Sequence, residues 1–222
     1  MEFGVGVPVT TKADPKIIWT SGEATVWHAS LAEYDEEDLA GLLSSDELVR
    51  ASTYGTAELR RRFVVRRGLL RRLLGEATGQ EPESFAFEVG IGGKPAILGG
   101  PFFNVSSSGE QALFGVSPRG PIGVDLERID PEFDFGPLLA DHFTADERSW
   151  LDAFPAEQRA HQFFQIWTRK EAFAKAIGLG LAEPLSSYPV STGSTRFDMY
   201  GTLIEVLDLP APGGFAASVA LE

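Results

Sequence analysis

Two acidic residues separated by one position, Asp125 and Glu127, stand in the segment Pro121-Ile-Gly-Val-Asp-Leu-Glu127. The segment alternates as a strand does, with Ile122, Val124 and Leu126 facing one way and Gly123, Asp125 and Glu127 the other. Carboxylates so spaced sit roughly 6–7 Å apart along a strand and can converge on one cation. Gly123 leaves room for a ligand beside them. A half-buried strand with a wet acidic face explains the same pattern, so spacing alone does not choose between the two. A third carboxylate, Glu171, lies in a stretch with helical periodicity, where Ala160, Phe163, Phe164, Trp167 and Ala174 share one stripe. Glu171 falls inside that apolar stripe, a costly place for a charge unless it is paired or bound to metal. Lys175 follows one turn later, and a simple helix pair would account for the spacing but not for its inward direction. Three carboxylates and a lysine suit phosphoryl-type transfer. Magnesium takes oxygen ligands and shares its shell with substrate phosphates, a carboxylate can accept a proton, and an ammonium can neutralise a leaving phosphate.

The elements that would position these groups read as follows. Residues 17–30 have strand character, an acidic helix covers about 36–43, and a short helix follows Ser45. A long helix over about Glu58–Leu74 carries an apolar stripe of Leu59, Phe63, Leu70, Leu73 and Leu74, with Gly75 as its expected stop. Short strands are expected over 85–89, 102–105, 112–117 and 122–127. Thr144-Ala-Asp-Glu147 is a capping box opening a helix to about Phe154. A second long helix over about Ala156–Ile177 stops at Gly178, ahead of strand-like stretches at 186–190, 196–207 and 215–220. Asp46-Glu47 and Asp146-Glu147 each open a short helix followed by a longer one ending in Gly. This faint internal repeat predicts an α+β fold of two similar α/β subdomains related by a pseudo-two-fold axis, residues 1–118 and 119–222, with the active site in the cleft between them.

The 222 residues include 32 acidic and 19 basic side chains, a formal net charge of −13, which argues against general nucleic-acid or anionic-membrane binding. The absence of Cys excludes thiolate metal sites, and the three His residues are scattered, so a bound metal should be hard and oxygen-liganded. The N-terminal stretch lacks the long apolar run of a signal peptide or membrane span, which makes the cytoplasm the default location. Arg60, Arg61, Arg62, Arg66, Arg67, Arg71 and Arg72 concentrate on one helix, either as a local anion site or as a solvated face. No Gly-x-x-x-x-Gly-Lys phosphate loop supports a nucleotide hydrolase.

The segment 121–127, together with Trp167-Thr-Arg-Lys-Glu-Ala-Phe-Ala-Lys-Ala-Ile-Gly-Leu-Gly-Leu181, resembles the 4′-phosphopantetheinyl transferases. The spacing is similar to that of the larger, monomeric class serving polyketide and nonribosomal peptide synthetases. Gly93-Lys-Pro95, Phe103-Asn-Val-Ser-Ser-Ser-Gly109 and the arginine-rich helix extend the likeness over about residues 45–181. The resemblance implies transfer of phosphopantetheine from coenzyme A to a serine of an acyl or peptidyl carrier protein, with Mg2+ as cofactor. It implies Asp125, Glu127 and Glu171 as metal ligands, Glu171 also as base, and Lys175 on the phosphates. It further implies Arg62 at the 3′-phosphate, Lys94 and Pro95 along the adenine, and Ser106 on a phosphate. Ser107 stands where relatives often carry a phosphate-contacting histidine, with Arg50 or Arg119 as candidate compensating cations, and Glu47 stands near positions often basic in relatives. Phe133, Phe135 and Phe143 are candidates for an apolar carrier-docking patch, with core packing as the competing reading.

Overall fold

The computed structural model describes residues 14–90, 93–178, 184–190, 195–199 and 201–222. The first half opens with the hairpin β1 (Lys16–Ser21) and β2 (Ala24–Ser30), which turns at Gly22–Glu23, so the stretch 17–30 is two strands instead of one. Three helices follow: α1 (Glu36–Ala40), α2 (Ser45–Ser52) and α3 (Ala57–Thr78). A 3-10 turn at Pro82–Ser84 leads to the small hairpin of β3 (Glu88–Val89) and β4 (Pro95–Ala96). Strands β5 (Phe102–Ser108) and β6 (Gln111–Ser117) complete an antiparallel sheet ordered β1-β2-β6-β5. The second half begins with β7 (Ile122–Arg128) and continues through α4 (Gly136–His142), α5 (Ala145–Asp152) and α6 (Ala156–Ile177). A 3-10 turn at Leu185–Ser187 occupies the expected strand at 186–190. Strands β8 (Thr195–Met199), β9 (Thr202–Asp208) and β10 (Phe215–Leu221) form with β7 a second antiparallel sheet, β7-β10-β9-β8.

The internal repeat is visible in detail. Helices α2 and α5 each have eight residues and a complete capping box, Ser44 with Glu47 and Thr144 with Glu147. Helices α3 and α6 each have 22 residues and end on a left-handed glycine, Gly79 and Gly178, at φ 71° and 75°. Each capping glutamate also holds a buried cation at the fifteenth position of the long helix. Glu47 accepts from Arg71 Nε at 2.9 Å, and Glu147 lies 3.0 Å from Lys170 Nζ. Each cation also closes onto carbonyls after its helix: Arg71 Nη1 donates to Pro82 O and Glu83 O, and Lys170 Nζ to Leu185 O and Tyr188 O. A buried cation so bonded offsets its desolvation and fixes the chain reversal behind its helix. Helix α3 runs four residues past its expected end at Leu74, through the expected stop at Gly75. There the missing Cβ, which would lie 2.8 Å from Gln80 O, makes room for the returning chain.

One core lies under α3, with Leu69, Leu70, Leu73 and Leu74 against Trp27, Phe103 and Phe114. A second straddles the halves, packing Val26 and Leu113 with Ile122, Val124, Leu126 and Val219. Phe163, Phe164 and Trp167 of α6 anchor a third beneath α4 and α5. Helix α6 crosses β7 at Gly123, where a Cβ would meet Ala172 O at 2.0 Å and Ala176 N at 2.5 Å. The space expected beside Gly123 for a ligand is thus filled by helix backbone. Gly123→Ala should push α6 off the sheet and cost about 2–3 kcal/mol, as overpacking a backbone contact does. Urea unfolding measures this, and a variant as stable as the parent would show that the helix does not lean on this glycine.

Candidate active site

The close crossing at Gly123 brings Glu171 and Lys175 of α6 over the next inward residue of β7, Asp125. Lys175 Nζ makes an ion pair with Asp125 Oδ1, not with Glu171 one turn back. Ser106 Oγ of β5 donates to that same Oδ1 at 2.9 Å, and Lys175 lies 3.3 Å from the hydroxyl. Asp125 is 1% exposed and Glu171 8%, and each has one buried oxygen without a partner, Oδ2 and Oε1 respectively. Burial pushes the Glu171 carboxyl up to about 7; Lys175 pulls it down, and Asp125 and Glu127 add to the rise. Glu127 is also raised, chiefly by burial and then by the Asp125 charge, and it accepts from Ser108 Oγ at 3.2 Å. Among the described residues no three carboxylates or imidazoles stand as a ready-made ligand cluster, and one oxygen of Asp125, Oδ1, is bonded to Lys175 and Ser106. The set nevertheless suits a hard cation. All its donors are oxygens, two of them are buried and orphaned, and the Asp125 charge raises both Glu127 and Glu171.

Beside this cluster lies a cavity of about 300 Å3, lined by Arg50, Arg66 and Arg67 with Gly93, Lys94 and Pro95, and by Phe63, Phe103 and Asn104. Burial lowers the pKa of Arg66 and of Arg67, and neighbouring arginines add to the lowering. Arg67 Nη1 is buried without a partner. Such a pocket rewards an anion. The expected 3′-phosphate residue Arg62 does not line it. Glu58 and Glu110 hold its guanidinium, so its charge is already balanced. Lys94 lines the cavity, but its ammonium donates to Ile122 O and Lys175 O at 2.8 Å each and is pushed down to about 8, mainly by burial. Ser107 receives Arg66 Nη1 at 2.7 Å, which brings to that position the positive charge a serine lacks. Arg66 had no distinguishing sign among its neighbouring arginines. Of the two compensating cations expected, Arg50 lines the cavity, while Arg119 is exposed on Glu23. Glu47 is committed to Arg67 and Arg71. Phe143 is core at 1% exposure and Phe135 stacks on Phe163, leaving Phe133, at 41%, as the accessible member of that trio. The end of the second motif, Leu179–Leu181, lies outside the described residues.

The family model for the 4′-phosphopantetheinyl transferase superfamily matches residues 121–205, from the first metal-ligand candidate strand into β9. The 4′-phosphopantetheinyl transferase HetI of Nostoc sp. is 40% identical over 177 residues, covering 76% of this chain and 74% of its own. Protein slr0495 of Synechocystis sp. is 37% identical over 149 residues, covering 65% and 61%. A 4′-phosphopantetheinyl transferase of Bacillus subtilis is 30% identical over 163 residues, covering 72% and 71%. The chain belongs to the 4′-phosphopantetheinyl transferase superfamily.

The raised Glu171 carboxyl has a consequence for the metal-free protein. Its folded form holds a proton more tightly than the unfolded chain, so ionisation opposes folding at high pH. That penalty is present above about pH 7 and fades as pH falls toward the ordinary value of 4.5. Glu171→Gln should therefore stabilise the metal-free protein by roughly 2 kcal/mol at pH 8 and by little near pH 4.5. Urea unfolding at the two pH values checks this, and an equal effect at both would contradict it.

Proposed function

We propose that this chain transfers the 4′-phosphopantetheine arm of coenzyme A to a serine of an apo acyl or peptidyl carrier protein, releasing adenosine 3′,5′-bisphosphate. The observation that carries the reading is the pair of buried, unpartnered carboxylate oxygens on Asp125 and Glu171, beside Lys175 and next to a cationic cavity. The named activity of relatives that match the chain at 30–40% identity supports it. The nucleotide end of coenzyme A would enter the cavity, its phosphates met by Arg50, Arg66 and Arg67 and its adenine laid along Gly93 and Pro95. Lys94 would shape that wall through its two carbonyl bonds.

Asp125, Glu127 and Glu171 would hold Mg2+ with the pyrophosphate. The ion would supply charge neutralisation at the phosphate under attack. Glu171 would accept the proton of the carrier serine hydroxyl, directly or through water, as the serine oxygen bonds to phosphorus. Lys175 would stabilise charge on the departing adenosine bisphosphate. We place the boundary between nucleotide-side and metal-side subdomains at 118/119. Among the described residues no helix is long and apolar enough to cross a membrane. With a net charge of −13, we read the enzyme as a cytoplasmic monomer that binds neither nucleic acid nor membrane. Carriers of polyketide or nonribosomal peptide assembly are its proposed partners.

Incubation with coenzyme A, Mg2+ and apo carrier domains should add one phosphopantetheine mass to a carrier serine. No mass gain on any of several fatty-acid, polyketide and peptide carriers would refute the reading. Asp125→Ala and Glu171→Ala should each lower turnover at least about a hundredfold. Near-parental turnover of either at saturating Mg2+ would refute the ligand assignment.

A further inference from the structure

The two sheets meet at β5 and β7, which belong to different sheets and share no backbone ladder. The outward amides of Val124 and Leu126 would then be orphaned in a buried seam, a cost that native structures avoid, while that of Arg128 lies at its exposed end. Alternate residues of β5 fill the gap with side-chain oxygens. Asn104 Oδ1 accepts from Val124 N at 2.9 Å, Ser106 Oγ from Leu126 N at 3.3 Å, and Ser108 Oγ from Arg128 N at 3.1 Å. The spacing of two along each strand makes this a side-chain ladder in register, and it is not a chance contact. Two rungs continue into the site: Ser106 donates its proton to Asp125 Oδ1 and Ser108 to Glu127 Oε2. Ser106 is 9% exposed and accepts from both Leu126 N and Lys175 Nζ, so its hydroxyl has no capacity left for a phosphate.

We propose that Asn104, Ser106 and Ser108 are positioning residues that set the register of β7 and, through the two serines, aim Asp125 and Glu127. This assigns Ser106 to the carboxylates in place of the expected substrate contact, and it gives Asn104 and Ser108 a role of their own. It rests on the proposed transfer only where metal is concerned, because the ladder itself is a property of the folded chain. A slip of one residue would turn Asp125 and Glu127 away from α6, so the rungs guard the one register in which the site exists.

Amide exchange reads the ladder without any activity. In Ser106→Ala the Leu126 amide should exchange about tenfold faster, while the amide of Asp125, on the β10 side, keeps its protection. No acceleration at Leu126, or an equal acceleration along all of β7, would overturn the ladder. Ser108, half-buried, gives a milder variant for the ligand-aiming claim. Ser108→Ala should raise the Mg2+ needed for half-maximal transfer about tenfold, leave the KM for coenzyme A within about twofold, and be rescued by Ser108→Thr. A raised KM for coenzyme A with unchanged Mg2+ dependence would overturn the aiming role in favour of substrate contact. If the parent enzyme showed no Mg2+ dependence, the metal reading would fail, and the Leu126 exchange result would still decide the ladder.

Discussion

Everything in this site depends on how closely α6 can lie on β7. Gly123 allows helix backbone to come within a distance that any side chain would forbid. That approach is what carries Glu171 and Lys175 from a helix face onto the acidic face of the strand. Once there, two carboxylates are buried more deeply than their charge tolerates alone. Lys175 and Ser106 relieve Asp125 on one side, but Asp125 Oδ2 and Glu171 Oε1 stay unpartnered. A packing constraint has thus become an electrostatic one, and a bound cation is the simplest way to satisfy it.

The two halves solve the same structural problem with different charges. Each uses a capping glutamate, a buried cation on a 22-residue helix and a 3-10 turn to fix the chain behind that helix. The residue after the buried cation is Arg72 in α3 and Glu171 in α6. Cations accumulate on α3 and line the cavity, while carboxylates gather where α6 meets β7. The proposed division between holding phosphates and holding metal follows from that divergence on a shared scaffold.

Much of this was legible in the residues. Alternation at 122–127 and the inward Glu171 follow from simple periodicities, and the capping box at Thr144 is a local signal that tertiary packing rarely overrides. The strand expected at 186–190 failed because Lys170, distant in sequence, captures the carbonyls of Leu185 and Tyr188. The Gly75 stop failed for a similar reason, since that glycine serves the returning chain and not the helix end. Among the arginines, sequence could not separate Arg62, neutralised by Glu58 and Glu110, from Arg66 and Arg67 in the cavity. Glu110 lies far along the chain, and only the fold brings it to α3. The same holds for the seam, because Asn104, Ser106 and Ser108 carry no mark in sequence that their partners are amides of β7.

The central claim is that Asp125, Glu127 and Glu171 together form a magnesium site that works with coenzyme A. Calorimetric titration of Mg2+ into the protein saturated with coenzyme A at pH 8 tests it most directly. Saturable binding is expected in the parent, with at least about tenfold weaker binding in both Asp125→Asn and Glu171→Gln. Unchanged Mg2+ binding in either variant would contradict it.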